Sequence, residues 1–420
     1  MSLARRRFMI SVACAGAALA APSVNGRARA KVVVVGGGAG GASVARKIAI
    51  DSSGQVDVTL VEPNARHTTC YFSNLYLGGL RSFESLQHGY DGLMRAGVGV
   101  IPDFAAAIDR RKRRVVLAGG EHLPYDRLVV APGIDFVEDS VEGWTLEASD
   151  RMPHAYRAGP QTLLLAKMIA SMPQGGVFAM VAPSEPYRCP PGPYERVSMI
   201  AHYLKGNNPT AKIIIIDPKE TFTLQKLFED AWLKYYDGMI EWIGPDFGSR
   251  NLLVSPDAME ISVDGEAIKV DCCNVIPDQK AGRIAALAGL TDDSGWAPVD
   301  PFSMRSRLDN SVFVLGDSAQ QGDMPKSATS AHSQAQVVAA SVVGDLTDRA
   351  TPEPVYFNAC WSALAPGDSV KDGGTYKPAA GKIASIRKYV SQADEDPATR
   401  AATYQESIDW YHTLTAQIFG

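Results

Sequence analysis

Three cysteines of this sequence stand in surroundings suited to redox chemistry: Cys70 in TCYFSN, Cys189 in RCPPGPYER and Cys360 in NACWS. A thiol can bridge to another thiol, exchange with sulfur nucleophiles or bond a cofactor. Cys272 and Cys273 lie in the apolar run 269–276 and read instead as small core side chains of a buried strand. Cys14 falls in a leader, so five of the six cysteines remain, an odd number that cannot all pair with one another. Arg188 and Arg196 flank Cys189, and a helix expected to begin at Pro193 adds its N-terminal dipole. Together they should stabilise a thiolate and draw in an anion. Glu195, in the first turn of that helix, is placed either to move a substrate proton or to complement the dipole.

The elements that must position these side chains follow from the hydrophobic pattern. Residues 31–35 form a buried-strand run that meets Gly36, Gly38 and Gly41 in a G-x-G-x-x-G turn. A helix continues from residue 42, and a second strand, 56–61, ends at Glu62. Strand, turn, helix, strand and acid in this order make a dinucleotide site: the glycines admit a pyrophosphate to the helix N-terminus, and Glu62 accepts bonds from ribose hydroxyls. Two further strands end in tight turns, one at Ala131-Pro132-Gly133 and one at Gly316-Asp317. Between them a second βαβ pattern runs through strand 177–182, helix 194–205 and strand 212–217. Where its glycine turn should be, it carries prolines at 183, 186, 190, 191 and 193. Proline has no backbone donor, so this loop cannot cradle a pyrophosphate, and a nicotinamide nucleotide is not expected there.

The ends of the chain differ from its middle. Residues 1–30 combine Arg5-Arg6-x-Phe8, a short apolar stretch and Ala28-Arg29-Ala30, the form of a twin-arginine export signal, which points to the periplasm; a general secretory signal has the same outline. Residues 351–420 read as a smaller third domain: a stretch over 355–364, a Gly/Pro-rich loop over 365–380 and an amphipathic helix near 405–418. A net charge of -5 with scattered Lys and Arg offers no nucleic-acid footprint, and the basic run 110–114 reads as a solvated turn. No His/Cys/Asp cluster has metal-ligand spacing, so no metal is expected. The later sequence holds no apolar run long enough for stable membrane insertion.

The strand–turn signatures resemble the two-dinucleotide, disulfide-reductase-like flavoproteins, an α/β class in which the aspartate of Gly316-Asp317 would hold the ribityl chain of FAD. The TCY-x-SN, RCPPGPYER, Gly316-Asp317-Ser318, Met324-Pro325-Lys326-Ser327 and N-x-C-x-S segments more narrowly resemble the flavoprotein subunit of flavocytochrome c sulfide dehydrogenase, over essentially the whole chain from Lys31. The resemblance implies a discontinuous FAD domain (31–150 and 266–350), a nicotinamide-domain-like insert (151–265) and a C-terminal flavin-covering or interface domain (351–420). It implies a thioether from Cys70 to the flavin and a redox-active Cys189–Cys360 disulfide, with Cys360 nearer the ring. Hydrosulfide would open that bridge and reduce the flavin. The electrons would pass singly to a c-type cytochrome subunit, which must carry the haem because this chain has no C-x-x-C-H. Lys326 would stabilise negative charge on the reduced ring. Trp361, Trp410 and Tyr411 would wall the flavin site, face the partner or pack in the core. Rival readings are a sulfide:quinone oxidoreductase, a nicotinamide-dependent disulfide reductase and a flavoprotein that reactivates sulfur carriers.

Overall fold

A computed structural model describes residues 29–420. The expected leader therefore lies outside the described residues except for Arg29 and Ala30, and Ala30 already opens the first strand.

The valine run forms Ala30–Val35, whose residues from Val32 onward are almost fully buried, as expected of a strand covered on both faces. It lies at the centre of a five-stranded parallel sheet ordered Val312–Val314, Arg127–Val130, Ala30–Val35, Val56–Val61, Gly99–Ile101. The helix Ala39–Asp51 buries Ala42, Ala45 and Ile48 at helical spacing and packs on the long helix Ala328–Thr347. A second parallel sheet, ordered Ile240–Ile243, Lys212–Ile216, Val177–Val181, Cys272–Val275, carries the helix Gly192–Asn207. This sheet takes in Cys272 and Cys273, both fully buried, and so runs past the boundary at 265 expected from the sequence. The basic run turns the hairpin between Ala105–Asp109 and Arg114–Leu117.

The C-terminal region departs most from the sequence reading. Residues 368–379, expected as loop, form a strand that pairs with both Tyr356–Ala365 and Lys382–Val390 in an antiparallel sheet. Its Gly373 and Gly374 are not breakers: the Tyr389 hydroxyl and the Asn358 carbonyl close over the first, and the Arg387 carbonyl over the second. The last helix is also longer than expected, Pro397–Phe419, and starts at Asp396, whose carboxylate accepts from the backbone N–H groups of Ala398 and Thr399. Among the described residues no helix is long and apolar enough to cross a membrane.

Candidate active site

The C-terminal ends of the first sheet's central strands open into a cavity of about 390 Å³, within the range of cofactor sites. Gly36, with φ 99°, turns the chain out of its strand, and Gly38 caps Ala39–Asp51 without a side-chain partner for the first helical N–H groups. Gly36, Gly38, Glu62, Pro132, Gly133, Gly316, Asp317 and Cys70 all line this cavity. Gly41 sits beneath it, where a Cβ would collide with the Gly36 carbonyl oxygen. Glu62 accepts from Gly37 N at 2.8 Å through Oε2 and from Asn64 through Oε1, which fixes its carboxylate at the rim.

One residue tests whether a flavin nucleotide fits here: Asp317 lines the cavity, and its Oδ1 is buried with no hydrogen-bond partner. An orphaned buried acceptor is costly, and a ribityl hydroxyl is a donor that would satisfy it. Its other oxygen lies 3.6 Å from Arg188 Nη1. The residues thus fit FAD, with the glycine turn for the pyrophosphate, Glu62 for a ribose and Asp317 for the ribityl chain. Lys326 is buried, not at the surface. Its Nζ donates at 2.8 Å to the carbonyls of Asp317 and Ala319 and stands 3.7 Å from the centre of the Trp296 ring. It pins the Asp317 turn but lines neither this cavity nor the next. Burial lowers its pKa to about 7, opposed by Asp317.

A second, smaller cavity of about 80 Å³ shares Cys70, Tyr71, Arg188 and Ser327 with the first. Cys189, Cys360, Glu195, Trp361 and Trp410 line it. Residues far apart in sequence are thereby brought to one place, with Cys70 at the junction of the two spaces. Cys189 and Cys360 carry free thiols in this structure. Cys189 has φ 56°, a left-handed backbone rare for a side chain other than glycine; its N–H donates to Lys326 O at 2.8 Å and its C=O accepts from Gly192 N at 2.8 Å. Cys360 is held on the strand Tyr356–Ala365, 8% exposed, with Asn358 beside its sulfur.

The electrostatics correct one expectation. Burial, first of all, pushes the Cys189 thiol well up; Cys360, Glu195 and Cys70 add to this, and Arg188 opposes it. Burial and Asp372 push Cys360 up to about 12, against Asn358 and Ser327. The two arginines do not outweigh desolvation, and Arg196 is turned elsewhere: its guanidinium donates to Asn74, Asn274 and the carbonyls of His154 and Ala155. A disulfide carries no charge, so burial imposes no such penalty on the oxidised pair.

Glu195 is fully engaged. Its Oε2 accepts from Asn74 Nδ2 at 2.7 Å and its Oε1 from Ala363 N at 3.0 Å. Desolvation raises its pKa against these two bonds and Arg196. The helix carrying it runs Gly192–Asn207, beginning one residue before the expected Pro193. Trp410 packs against Trp361 and Tyr71, whereas Tyr411 is buried and bonds Thr69 and His88. Asn74 and Asp372 were not singled out in the sequence. Asn74 sits in the TCYFSN segment but gains its role only from the helix that brings Glu195 and Arg196 to it, and Asp372 lies in a stretch whose glycines signal a loop.

The nicotinamide-like sheet uses its own acid internally. Asp217, at the end of Lys212–Ile216, is fully buried and accepts from Tyr194 Oη, Trp242 Nε1 and Lys219 Nζ. Tyr194 stacks on Phe222 with ring centres 3.7 Å apart. The acid that a ribose would need is therefore already occupied by side chains.

Known proteins agree with this geometry. The central domain of "Sulfide dehydrogenase [flavocytochrome c] flavoprotein chain" matches residues 162–277, the flavin-binding domain of flavocytochrome c sulphide dehydrogenase matches 352–419, and the pyridine nucleotide-disulphide oxidoreductase family matches 30–151. The mitochondrial sulfide:quinone oxidoreductase of Dictyostelium discoideum is 23% identical over 74% of this chain and 70% of its own. The X-ray structure of the sulfide:quinone oxidoreductase of Aquifex aeolicus superposes with a TM-score of 0.68 at 17% identity, over 92% of both chains, which establishes the disulfide-reductase-like fold. The flavoprotein chain of sulfide dehydrogenase from Chlorobaculum thiosulfatiphilum is 56% identical over 45 residues, 10% of this chain and 90% of that sequence. With the TCY, RCPPGPYER and N-x-C-x-S cysteines gathered around one small cavity that adjoins the nucleotide cavity, the chain belongs to the family of flavocytochrome c sulfide dehydrogenase flavoprotein chains.

Proposed function

We propose that this chain oxidises hydrosulfide through a Cys189–Cys360 disulfide, works in the periplasm with FAD tethered by Cys70, and passes electrons to a c-type cytochrome subunit. The carrying observation is that Cys189 and Cys360 line one small cavity that shares Cys70 and Arg188 with the nucleotide cavity. Bound FAD supplies a two-electron acceptor able to release electrons singly. Arg188, mostly buried and paired with Asp317, provides a cation at the boundary between the two spaces. Hydrosulfide attacks one sulfur of the bridge: a new S–S bond forms as the old one breaks, the electron pair stays on the other cysteine as thiolate, and the proton remains on the persulfide. Glu195, at the same cavity, is positioned to take that proton. The proline loop and the occupied Asp217 argue against nicotinamide as the electron source.

The test is anaerobic mixing of flavin-loaded protein with sulfide, followed at the flavin band, with cytochrome c and a soluble quinone offered separately as acceptors. Cys189→Ser and Cys360→Ser should each abolish reduction by sulfide while dithionite still bleaches the flavin. Rapid sulfide reduction in either variant would refute the disulfide route, and turnover with quinone alone would refute the cytochrome acceptor.

A further inference from the structure

Beside the residues that carry the cysteine pair lies an open groove of about 650 Å³, formed by the segment leading into the helix Gln225–Tyr235 and by the strands Asp368–Ala379 and Lys382–Val390. Pro190, which follows Cys189, lines it, as does Pro325, which precedes the Lys326 whose carbonyl holds Cys189 N. So does Asp372, which stands directly opposite Cys360 in the antiparallel register and therefore on the same face of the hairpin. The groove thus reaches a chain neighbour of Cys189 and the cross-strand partner of Cys360. The cavity that both cysteines line is smaller, with about 80 Å³ of free space, and is walled by Trp361 and Trp410.

The lining of the groove indicates a ligand class. Asp372 Oδ1 is buried with no hydrogen-bond partner, so it awaits a donor. Burial raises this carboxyl to about 6 against the pull of Lys388. Lys388 is exposed and forms no ion pair among the described residues, whereas Lys226 is paired with Asp230 and Asp323 with Lys382. Tyr376, Tyr389 and the prolines add polarisable and apolar walls. A free cation, a soft wall and an unsatisfied acceptor suit an anionic chain of sulfur ending in S–H.

We propose that this groove is the sulfur entrance and exit: hydrosulfide passes through it to the cavity of the Cys189–Cys360 pair and the hydropolysulfide product leaves by it, with Asp372 accepting from a terminal S–H on the way and Lys388 attracting the anion. The proposal rests on the sulfide-oxidising reading and adds the route and the residues that serve it. It does not alter the exchange step itself.

The experiment labels the pre-reduced, flavin-loaded protein with two thiol reagents, anionic sulfonatoethyl methanethiosulfonate and neutral methyl methanethiosulfonate, and quantifies Cys189 and Cys360 by peptide mass spectrometry. Lys226→Trp and Ala393→Trp, at two exposed positions on the rim, should each slow labelling by both reagents about tenfold or more, with flavin content unchanged as the check on folding. Lys388→Gln should slow the anionic reagent about threefold and leave the neutral one alone. Sulfide reduction of the flavin should fall with the anionic labelling rate. Unchanged labelling in both Trp variants would overturn the route, and equal effects of Lys388→Gln on both reagents would overturn the anion assignment. If labelling depends on the groove but sulfide fails to reduce the wild-type flavin, the sulfide reading and the sulfur ligand both fall.

Discussion

Replacing Glu195 by glutamine removes one charge and keeps the shape, yet the structure leaves it no comfortable way to bond. Arg196 can only donate, and its Nε donates to Asn74 Oδ1, which fixes Asn74 with its amide nitrogen toward Glu195. Ala363 N, also only a donor, claims the other carboxylate oxygen. Both oxygens at position 195 must therefore accept. A glutamine offers one acceptor and one NH₂, so either Asn74 Nδ2 or Ala363 N meets a donor in a buried site. One such loss costs about 1–3 kcal/mol. Denaturant unfolding of the flavin-loaded protein, followed by far-UV signal and flavin fluorescence together, should show a deficit of that order for Glu195→Gln. The charge adds a pH signature. The folded-state pKa of Glu195 is raised, so its contribution to stability is fully present below the ordinary value and is lost as pH rises through the raised one. The glutamine variant should lack that slope. If Glu195 also carries the substrate proton, sulfide reduction should slow by about 10²- to 10⁴-fold and lose the matching limb of its pH profile. Stability within about 0.5 kcal/mol of wild type, with an unchanged pH slope, would refute the donor–acceptor reasoning.

Three other outcomes follow from the geometry. Gly41→Ala should cut bound flavin at least about tenfold, read as the ratio of flavin to protein absorbance, because its methyl group would occupy the position of the Gly36 carbonyl oxygen and force the turn open. Tyr194→Phe takes one donor from Asp217 and should cost about 1–2 kcal/mol in denaturant unfolding without giving any NADH-dependent flavin reduction. Acid precipitation should leave yellow colour with the wild-type pellet and move it to the supernatant in Cys70→Ser. Colour in both supernatants would remove the tether.

The parts of the fold written in short-range pattern were legible. The Val run, its glycine turn and Glu62 belong to one local unit, and the structure builds them as the sequence suggests. Cys272 and Cys273 likewise announced a buried strand. The hairpin strand Asp368–Ala379 was not legible, because Gly373 and Gly374 signal a loop unless one knows that Tyr389 and Asn358 will close over the first and Arg387 over the second. That contact is long-range, and so is the pairing that sets Asp372 against Cys360. The same blindness explains the thiolate expectation: Arg188 and Arg196 are near Cys189 in sequence, but only the packed structure turns Arg196 toward Asn274 and partly buries Cys189, so that desolvation outweighs Arg188. Lys326 shows the effect in reverse, since a residue with a surface-like composition is buried by two carbonyl acceptors and a tryptophan ring.

The backbones beneath Cys189 and Cys360 differ in kind, and this has a mechanical consequence. Residue 360 belongs to a ten-residue strand laced to its neighbour along its length. Residue 189 perches in a proline-bounded turn at a φ that most side chains avoid, held by bonds to Lys326, Gly192 and the Tyr156 hydroxyl. When a bond between the sulfurs opens, displacement will fall on the turn, because it has less to lose by moving. One sulfur then behaves as a fixed post with a constant distance to the nucleotide cavity. The other is a swinging arm, and the reach of that arm sets how large a sulfur species the pair can hold between successive exchanges.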